Sequence, residues 1–129
     1  MTEYREIKTE ADAEAFIKET NGLHDGYVID LQYKNDGIEI VDGGYDFYTD
    51  RSELRMKVLV TSIMDTIVEM IFSGVDEWRV CSGTQDILDS YIFFPSDETI
   101  IWADSDSDYE EYAPCRVMAR SMRWRKIEF

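Results

Sequence analysis

The only histidine of the chain stands directly before an aspartate, and this pair, His24-Asp25, is the first place where the sequence could support catalysis. Metal-dependent phosphate hydrolysis needs several histidines around the metal, and this chain has one. A catalytic triad fares no better, because adjacent residues tend to point apart and no motif marks a nucleophile. We therefore expect a structural turn at His24 and Asp25. A small hydrolase or ligand-binding domain, with a pocket in the sheet near His24, remains an alternative.

A second candidate is the aspartate run in which Asp104, Asp106 and Asp108 alternate with serines. Alternating oxygen ligands of this kind begin the calcium loops of EF-hand proteins. The sixth position of such a loop is a glycine and the twelfth a glutamate, whereas this chain has Tyr109 and Cys115 there. We therefore expect a solvated loop between two strands, without a cation.

The two cysteines, Cys81 and Cys115, are too few to build a structural zinc site with one histidine, because such sites use four ligands. A reduced protein is the simplest interpretation, and a disulfide between the two cysteines stays open. No glycine pattern typical of nucleotide-binding loops is present. The sequence thus predicts no catalytic residue, no metal and no cofactor.

Charge is distributed very unevenly along the chain, which has 28 acidic and 13 basic residues and a net charge of −15. Five of the bases and none of the acids lie in residues 116–126, so the remainder holds eight bases against 28 acids, a formal charge of −20. Nucleic acids and anionic membranes attract basic surfaces, so we exclude both as partners. A basic protein is the partner that this charge favours.

Two acidic segments also carry aromatic residues, which are enriched in protein interfaces. Both are expected in loops, where rings could fill pockets while carboxylates steer a basic partner. Alternatively, the rings fold back over the sheet and only the acids face water. The predicted partner-binding residues are Tyr45, Asp46, Phe47, Tyr48, Asp50, Asp104, Asp106, Asp108, Tyr109, Glu110, Glu111 and Tyr112.

One helix and several strands must position these segments. Thr9 and Asp12 have the spacing of a helix N-terminal capping pair, and Asn21-Gly22 can end the helix. Alternating apolar residues then predict strands, with hairpin turns at Asn35-Asp36-Gly37 and Pro95–Glu98. The predicted strands span residues 27–34, 38–41, 54–61, 66–73, 91–94, 99–103 and 115–126.

The connections between these strands are short, which favours antiparallel pairing. The fold class predicted is α+β: one N-terminal helix packed on an antiparallel sheet of about seven strands that could be strongly curved. The chain length fits a single domain, residues 1–129. No apolar run is long enough to span a bilayer, and the N-terminal residues lack a signal-peptide pattern, so a cytoplasmic protein is expected.

The segment from Asn21 to Tyr33, with Leu-His-Asp-Gly leading into an alternating strand, resembles small, uncharacterised bacterial acidic α+β proteins. The stretches Ile100–Ala103 and Val117–Trp124 add to the resemblance. Some such proteins are immunity proteins that accompany contact-dependent or secreted toxins. The resemblance implies an α+β fold and a cytoplasmic bacterial setting, and it carries no catalytic residues.

These observations together favour a non-enzymatic, acidic protein-binding domain, such as an immunity protein that masks a basic toxin, for example a nuclease. Nucleases hold phosphates in positively charged clefts, which an acidic, aromatic surface could occupy. A structural or homodimeric protein, whose acidity serves only solubility, is a further alternative.

Overall fold

The computed structural model describes residues 3–63, 66–80, 85–106 and 108–128. Within them, one α-helix packs against a seven-stranded antiparallel sheet that does not close on itself, which confirms the predicted α+β class. A further pair of strands stands apart as a two-stranded ribbon. The elements are β1 (Arg5–Glu6), α1 (Glu10–Thr20), β2 (Gly26–Asn35), β3 (Ile38–Val41), β4 (Gly44–Phe47), β5 (Ser52–Val60), β6 (Thr66–Arg79), β7 (Tyr91–Ser96), β8 (Thr99–Ala103) and β9 (Arg116–Glu128).

Helix α1 begins and ends where its capping residues predict. The Thr9 hydroxyl accepts the Asp12 N–H while the Asp12 carboxylate accepts the Thr9 N–H, so two amides of the first turn are satisfied. Asn21 ends the helix in the left-handed conformation, with φ of 54°. The ring of Phe16 packs edge-on against Trp124 of β9, with 5.1 Å between ring centroids. This contact fixes the helix on one face of the sheet.

The main sheet has the strand order β2-β5-β6-β9-β8-β7, and β1 pairs with the C-terminal part of β9. Its spine is the long pairing of β6 with β9. The core lies between α1 and the sheet, where each fully buried large apolar side chain contributes roughly 1.5–3 kcal/mol. The largest of them include Phe16, Leu23, Leu54, Met56, Met70, Phe72 and Trp102.

The hairpin predicted at Asn35-Asp36-Gly37 is wrong. β2 pairs along its whole length with β5, from Gly26 opposite Val60 to Asn35 opposite Ser52. β3 pairs instead with β4 in the separate ribbon, across a turn at Asp42-Gly43. Gly43 has φ of 82°, a conformation that glycine adopts without strain.

The Asn35-Asp36-Gly37 segment anchors the ribbon to the sheet. The Gly37 N–H donates to the side-chain oxygen of Asn35, and the Gly37 carbonyl accepts the Tyr48 N–H at 2.6 Å. The Asp36 N–H donates to the carbonyl of Arg51. The turn-forming residues therefore bend the chain away from the sheet rather than return it along β2.

The two outermost strands of the main sheet are β2 and β7, and each is interrupted. A bulge between Val28 and Asp30 shifts the register of β2, so Val28 and Leu31 both pack against the core. The strict alternation predicted for this strand is therefore wrong at that point. β7 contains Pro95, which has no N–H to donate.

On the sheet face away from α1, the buried carboxylate of Glu69 accepts hydrogen bonds from two other parts of the chain. Glu69 of β6 is 1% exposed and lies opposite Lys57 on one side and Arg125 on the other. The Arg125 Nε–H donates to Glu69 Oε1 at 2.9 Å, and the Tyr4 hydroxyl donates to the same oxygen. Burial alone would raise the pKa of Glu69, but the Tyr4 hydrogen bond and the Arg125 charge outweigh it, so this pKa lies below its ordinary value.

A chain of hydrogen bonds ties the indole of Trp102 to the end of the helix region. The Trp102 Nε1–H donates to Ser90 Oγ at 3.0 Å, and the Ser90 hydroxyl donates to the carbonyl of Gly22 at 2.8 Å. Trp102 and Ser90 are both buried. The network satisfies polar groups that would otherwise be costly inside the core.

Candidate functional site

The two segments predicted to bind a partner lie at the same end of the main sheet. The ribbon connects the end of β2 to the start of β5, while the 104–115 loop connects the end of β8 to the start of β9. β6 ends there too, because its last residue, Arg79, lies opposite Arg116 at the start of β9. Antiparallel pairing thus brings together segments about 60 residues apart in sequence.

The ribbon is amphipathic. Residues directly opposite in an antiparallel pair share a face, so the pairs Ile38–Phe47 and Ile40–Tyr45 form an apolar face, and Glu39 and Asp46 lie on the other. The apolar face has little cover: the exposed fractions are 52% for Ile38, 86% for Ile40, 63% for Tyr45 and 70% for Phe47.

The expectation of a loop at Tyr45–Phe47 is therefore wrong, because these residues form strand β4. The partner strand, β3, and the Asp42-Gly43 turn supply its pairing. The alternative in which the rings fold back over the sheet does not describe Tyr45 and Phe47, which remain mostly exposed. Asp46, on the opposite face of the ribbon, and Asp50, which follows β4, are exposed as well.

A small cavity of about 150 Å³, lined by the polar residues Asn35 and Ser52 as well as by apolar ones, lies between the ribbon and the main sheet. Ile38 and Phe47 of the ribbon form one wall, and Tyr33 and Val75 of the sheet form the other. Tyr48 also lines this cavity. One end of the apolar ribbon face, at Ile38 and Phe47, therefore lines this cavity.

A second cavity, of about 320 Å³, lies beside the indole of Trp78. Its other lining residues are Glu77, Arg79, Glu111 and Arg116. The rings of Trp78 and Tyr33 are in contact, with 5.7 Å between centroids, and Tyr33 lines the first cavity. The two cavities nevertheless lie on opposite faces of the sheet, because Glu77, Arg79 and Arg116 share the face of Met118, whereas Tyr33 and Val75 lie on the core face.

Arg116 holds the 104–115 loop beside the second cavity. Its Nε donates to Glu110 at 2.6 Å, its Nη1 donates to Glu77, and its side chain is 9% exposed. Burial alone would lower the pKa of Arg116, but the carboxylates of Glu110 and Glu77 outweigh it. The pKa therefore lies above its ordinary value, and the side chain stays charged. The short turn Glu110–Tyr112 is thus pinned at its first residue, while Tyr109 and Tyr112 stay exposed.

Two aspartates of the 104–115 loop accept hydrogen bonds from backbone N–H groups of the same loop. Asp104 is half-buried and accepts the Cys115 N–H at 3.3 Å, and burial raises the pKa of its carboxyl. Asp106 accepts the Asp108 N–H at 3.1 Å. No group of three or more metal-ligating side chains converges anywhere in the described residues. Ser107 lies outside them.

His24 lies at the opposite end of β2 from the ribbon and lines neither cavity. Its Nδ1 is 2.7 Å from the carbonyl oxygen of Leu88 and its Nε2 is 3.6 Å from Asp25 Oδ2. The Leu88 hydrogen bond and the Asp25 charge raise the pKa of His24 above its ordinary 6.5. The same turn is hydrogen-bonded to the connection between β5 and β6, because the Asp25 carbonyl accepts the Thr61 hydroxyl and N–H.

Cys115 is buried and disulfide-bonded, so it is not the free thiol of a reduced protein. Cys81, the other cysteine of the sequence, falls outside the described residues.

Several residues of the ribbon and of the two cavities were not identified from the sequence. The predicted strand ended at Ser73, whereas β6 continues to Arg79 and therefore includes Trp78. Ile38 and Ile40 were assigned to the main sheet rather than to an exposed ribbon. The signal that could have found the ribbon is Asp42-Gly43 between two alternating segments, a strong hairpin pattern.

Replacing Arg116 by methionine is expected to lower the free energy of unfolding by about 2 kcal/mol, because Glu110 and Glu77 lose a charged partner. The 104–115 loop should also become more susceptible to cleavage after its glutamates. Urea unfolding and limited digestion with a glutamate-specific protease measure the two effects.

The matched control is Arg123→Met on the same strand, whose exposed pair with Glu53 at 3.6 Å should cost less than about 1 kcal/mol. Equal losses for both variants, or an unchanged cleavage rate in Arg116→Met, would contradict the anchoring role.

No family model matches the chain, and neither a curated protein nor a solved structure is found to be similar to it. The α-helix of the described residues has 11 residues, which is too short to cross a membrane.

Proposed function

We propose that this protein is a non-enzymatic, acidic protein-binding domain that masks a basic partner through the ribbon and the 104–115 loop. The observation that carries the proposal is the apolar ribbon face, which is exposed, while the opposite face of the ribbon carries the carboxylates of Glu39 and Asp46. A two-stranded ribbon is marginal in water unless its apolar face is covered. Contiguous exposed apolar patches mark interaction sites in soluble proteins.

The charge of the chain supports a basic partner. Two exposed carboxylates, Asp46 on the back of the ribbon and Asp50 on its flank, would attract a positive surface over several ångströms, whereas Glu39 is already paired with Arg51. A second copy of this chain would bring another charge of −15 to the same contact, which opposes self-association. We therefore favour a basic protein over a homodimer.

The most specific form of the proposal is a bacterial immunity protein that masks a toxin with a phosphate-binding cleft, such as a nuclease. An acidic surface bearing aromatic rings matches such a cleft in charge and in shape-filling capacity. His24 adds no support for the hydrolase alternative, because it lines neither of the two cavities.

The test is co-expression with the basic proteins encoded next to this chain, followed by size-exclusion chromatography at two salt concentrations and a growth-rescue assay. We expect a salt-sensitive complex that rescues growth and is lost in the double variant Ile40→Asp, Phe47→Asp. Leu88→Asp is the matched control, because Leu88 is also an exposed apolar residue but lies near His24. If no basic partner binds, or if binding ignores salt, the proposal fails.

A cytoplasmic setting belongs to this proposal, and the disulfide of Cys115 tests it. Disulfides are rare in the cytoplasm, so in a cytoplasmic protein this bond should be reduced in the cell, and the buried Cys115 should react with an alkylating reagent added together with a denaturant at lysis. Mass spectrometry of the intact protein reads out the alkylation. A Cys115 that resists alkylation until a reductant is added would place the protein in an oxidising compartment.

A further inference from the structure

We infer that the partner adds an antiparallel strand to the outer edge of β4, with apolar side chains opposite Tyr45 and Phe47 and a basic side chain opposite Asp46. This inference rests on the proposed function and names the backbone geometry and the side-chain chemistry that the partner presents. It is carried by the hydrogen-bonding register of the ribbon and by the charges on its acidic face.

The register of the ribbon shows which backbone groups of β4 point outward. In an antiparallel pair, directly opposite residues alternate between pairs that exchange both backbone hydrogen bonds and pairs that exchange none. The Tyr48 N–H donates to the Gly37 carbonyl, so this pair is of the first kind. Phe47 is therefore in a pair of the second kind, Asp46 in one of the first kind and Tyr45 again in one of the second kind. The N–H and carbonyl groups of Tyr45 and Phe47 thus point away from β3.

These outward groups have no partner in the protein within the part of the chain that the structure describes. There, β3 and β4 pair only with each other and neither joins the main sheet. The backbone of Tyr45 and Phe47 receives no hydrogen bond from outside the ribbon in the same ranges. Because a two-stranded ribbon is marginal in water, an added strand would supply the missing hydrogen bonds as well as cover for the apolar face.

The two faces of the ribbon determine the side chains of the added strand. Residues directly opposite each other share a face, so partner residues opposite Tyr45 and Phe47 extend the apolar face. The partner residue between them lies opposite Asp46 in a pair without backbone hydrogen bonds, where side chains approach most closely. A lysine or arginine at that position pairs with the carboxylate. The added strand therefore alternates apolar and basic residues.

The charges on the acidic face favour the edge of β4 over that of β3. On β3 the position equivalent to Asp46 is Glu39, which is already paired with Arg51. The Arg51 guanidinium would repel a basic side chain at that edge. Asp46, by contrast, is exposed and forms no ion pair with any residue in the described ranges.

A second copy of this chain fits the edge of β4 poorly. If its β4 were placed antiparallel so that Tyr45 lay opposite Phe47, the two Asp46 carboxylates would lie directly opposite each other. Like charges in that position are destabilising. Each copy also carries a net charge of −15. A strand of the basic partner is therefore the occupant that the edge favours.

The experiment compares peptides that differ only in which of their two edges can donate hydrogen bonds. The probe is an acetylated, amidated hexapeptide of alternating leucine and arginine, titrated by calorimetry. In the inferred complex the leucine N–H groups point toward β4 and the arginine N–H groups point away from it. Methylating every leucine nitrogen should weaken binding at least about tenfold, whereas methylating every arginine nitrogen should change it less than about twofold.

Hydrogen exchange, followed at single residues by nuclear magnetic resonance, locates the edge that the peptide uses. The amides of Tyr45 and Phe47 point to solvent in the free protein, so saturating peptide should slow their exchange at least about tenfold. The amides of Ile38 and Ile40 point outward from β3 and should exchange at an unchanged rate.

A charge reversal tests the role of the carboxylate. Asp46→Lys should weaken the leucine-arginine peptide about three- to fivefold and strengthen a leucine-glutamate peptide by a similar factor, because the cross-strand pair changes from attraction to repulsion. Glu14→Lys is the matched control, since it makes the same change of charge at an exposed position of α1. Circular dichroism verifies that both variants fold.

Any of five outcomes would overturn the inference: no saturable binding of the leucine-arginine peptide up to about 1 mM; equal affinities of the two methylated peptides; slowed exchange at Ile38 and Ile40 instead; equal effects of Asp46→Lys and Glu14→Lys; or a dimer in sedimentation that the peptide dissociates. If the peptides fail but a basic partner still binds through the ribbon, the inference falls and the proposed function stands. If the co-expression test finds no basic partner, the proposed function itself fails.

Discussion

Trp102→Ala is expected to lower the free energy of unfolding by about 4 kcal/mol, because truncating a fully buried aromatic side chain leaves a cavity in the core. Trp102 is 0% exposed and its ring lies 6.4 Å from that of Phe72, between centroids. Urea unfolding followed by far-ultraviolet circular dichroism measures the loss.

Two further variants separate packing from hydrogen bonding at this site. Ser90→Ala keeps the Trp102 ring but leaves its Nε1–H and the Gly22 carbonyl without their partner, which should cost about 1–3 kcal/mol. Trp78→Ala removes an exposed indole and should cost less than about 1.5 kcal/mol. If Trp102→Ala costs no more than Trp78→Ala, the core does not depend on Trp102 as described.

Glu69→Ala is expected to lower the free energy of unfolding by about 3 kcal/mol at neutral pH, because it leaves the half-buried Arg125 and the Tyr4 hydroxyl without their acceptor. The effect depends on pH in a defined direction. The pKa of folded Glu69 lies below its ordinary 4.5, so its stabilisation is present above pH 4.5 and is lost as the pH falls through the folded value.

Urea unfolding at several pH values between 3 and 7 measures this dependence, and the gap between the unaltered protein and Glu69→Ala should narrow below about pH 4.5. Glu69→Gln retains the shape and one acceptor but has no titrating group. The exposed Glu53, paired with Arg123 at 3.6 Å, gives the matched control Glu53→Ala, which should cost less than about 1 kcal/mol. A gap that stays constant with pH would contradict the role of the Glu69 charge.

Local signals in the sequence were sufficient for the helix and for most strands. Thr9, Asp12 and Asn21 act through hydrogen bonds and backbone angles within a few residues, so their roles can be predicted without the rest of the chain. The hairpin of β7 and β8 is confirmed for the same reason. The ion pairs are less local: Arg125 of the last strand pairs with Glu69 of the neighbouring strand, and Glu39 pairs with Arg51.

Strand partners and the two cavities depend on long-range contacts, which local signals do not determine. Two turn signals, at Asn35-Asp36-Gly37 and at Asp42-Gly43, compete for β3, and the full-length pairing of β2 with β5 decides between them. Trp78 and Tyr33 are 45 positions apart in sequence and meet only because β2, β5 and β6 lie side by side. The candidate surface was thus predicted in its acidic and aromatic residues but not in its cavities.

The interruptions in β2 and β7 determine how the protein behaves when it is concentrated. A strand from another molecule needs an unbroken row of amides and carbonyls to extend a sheet. The bulge near Ile29 and the imide nitrogen of Pro95 break that row on both flanks of the main sheet. Amyloid-like growth should therefore start at β3 or β4, so ligands that cover these two strands should also act as inhibitors of fibril formation.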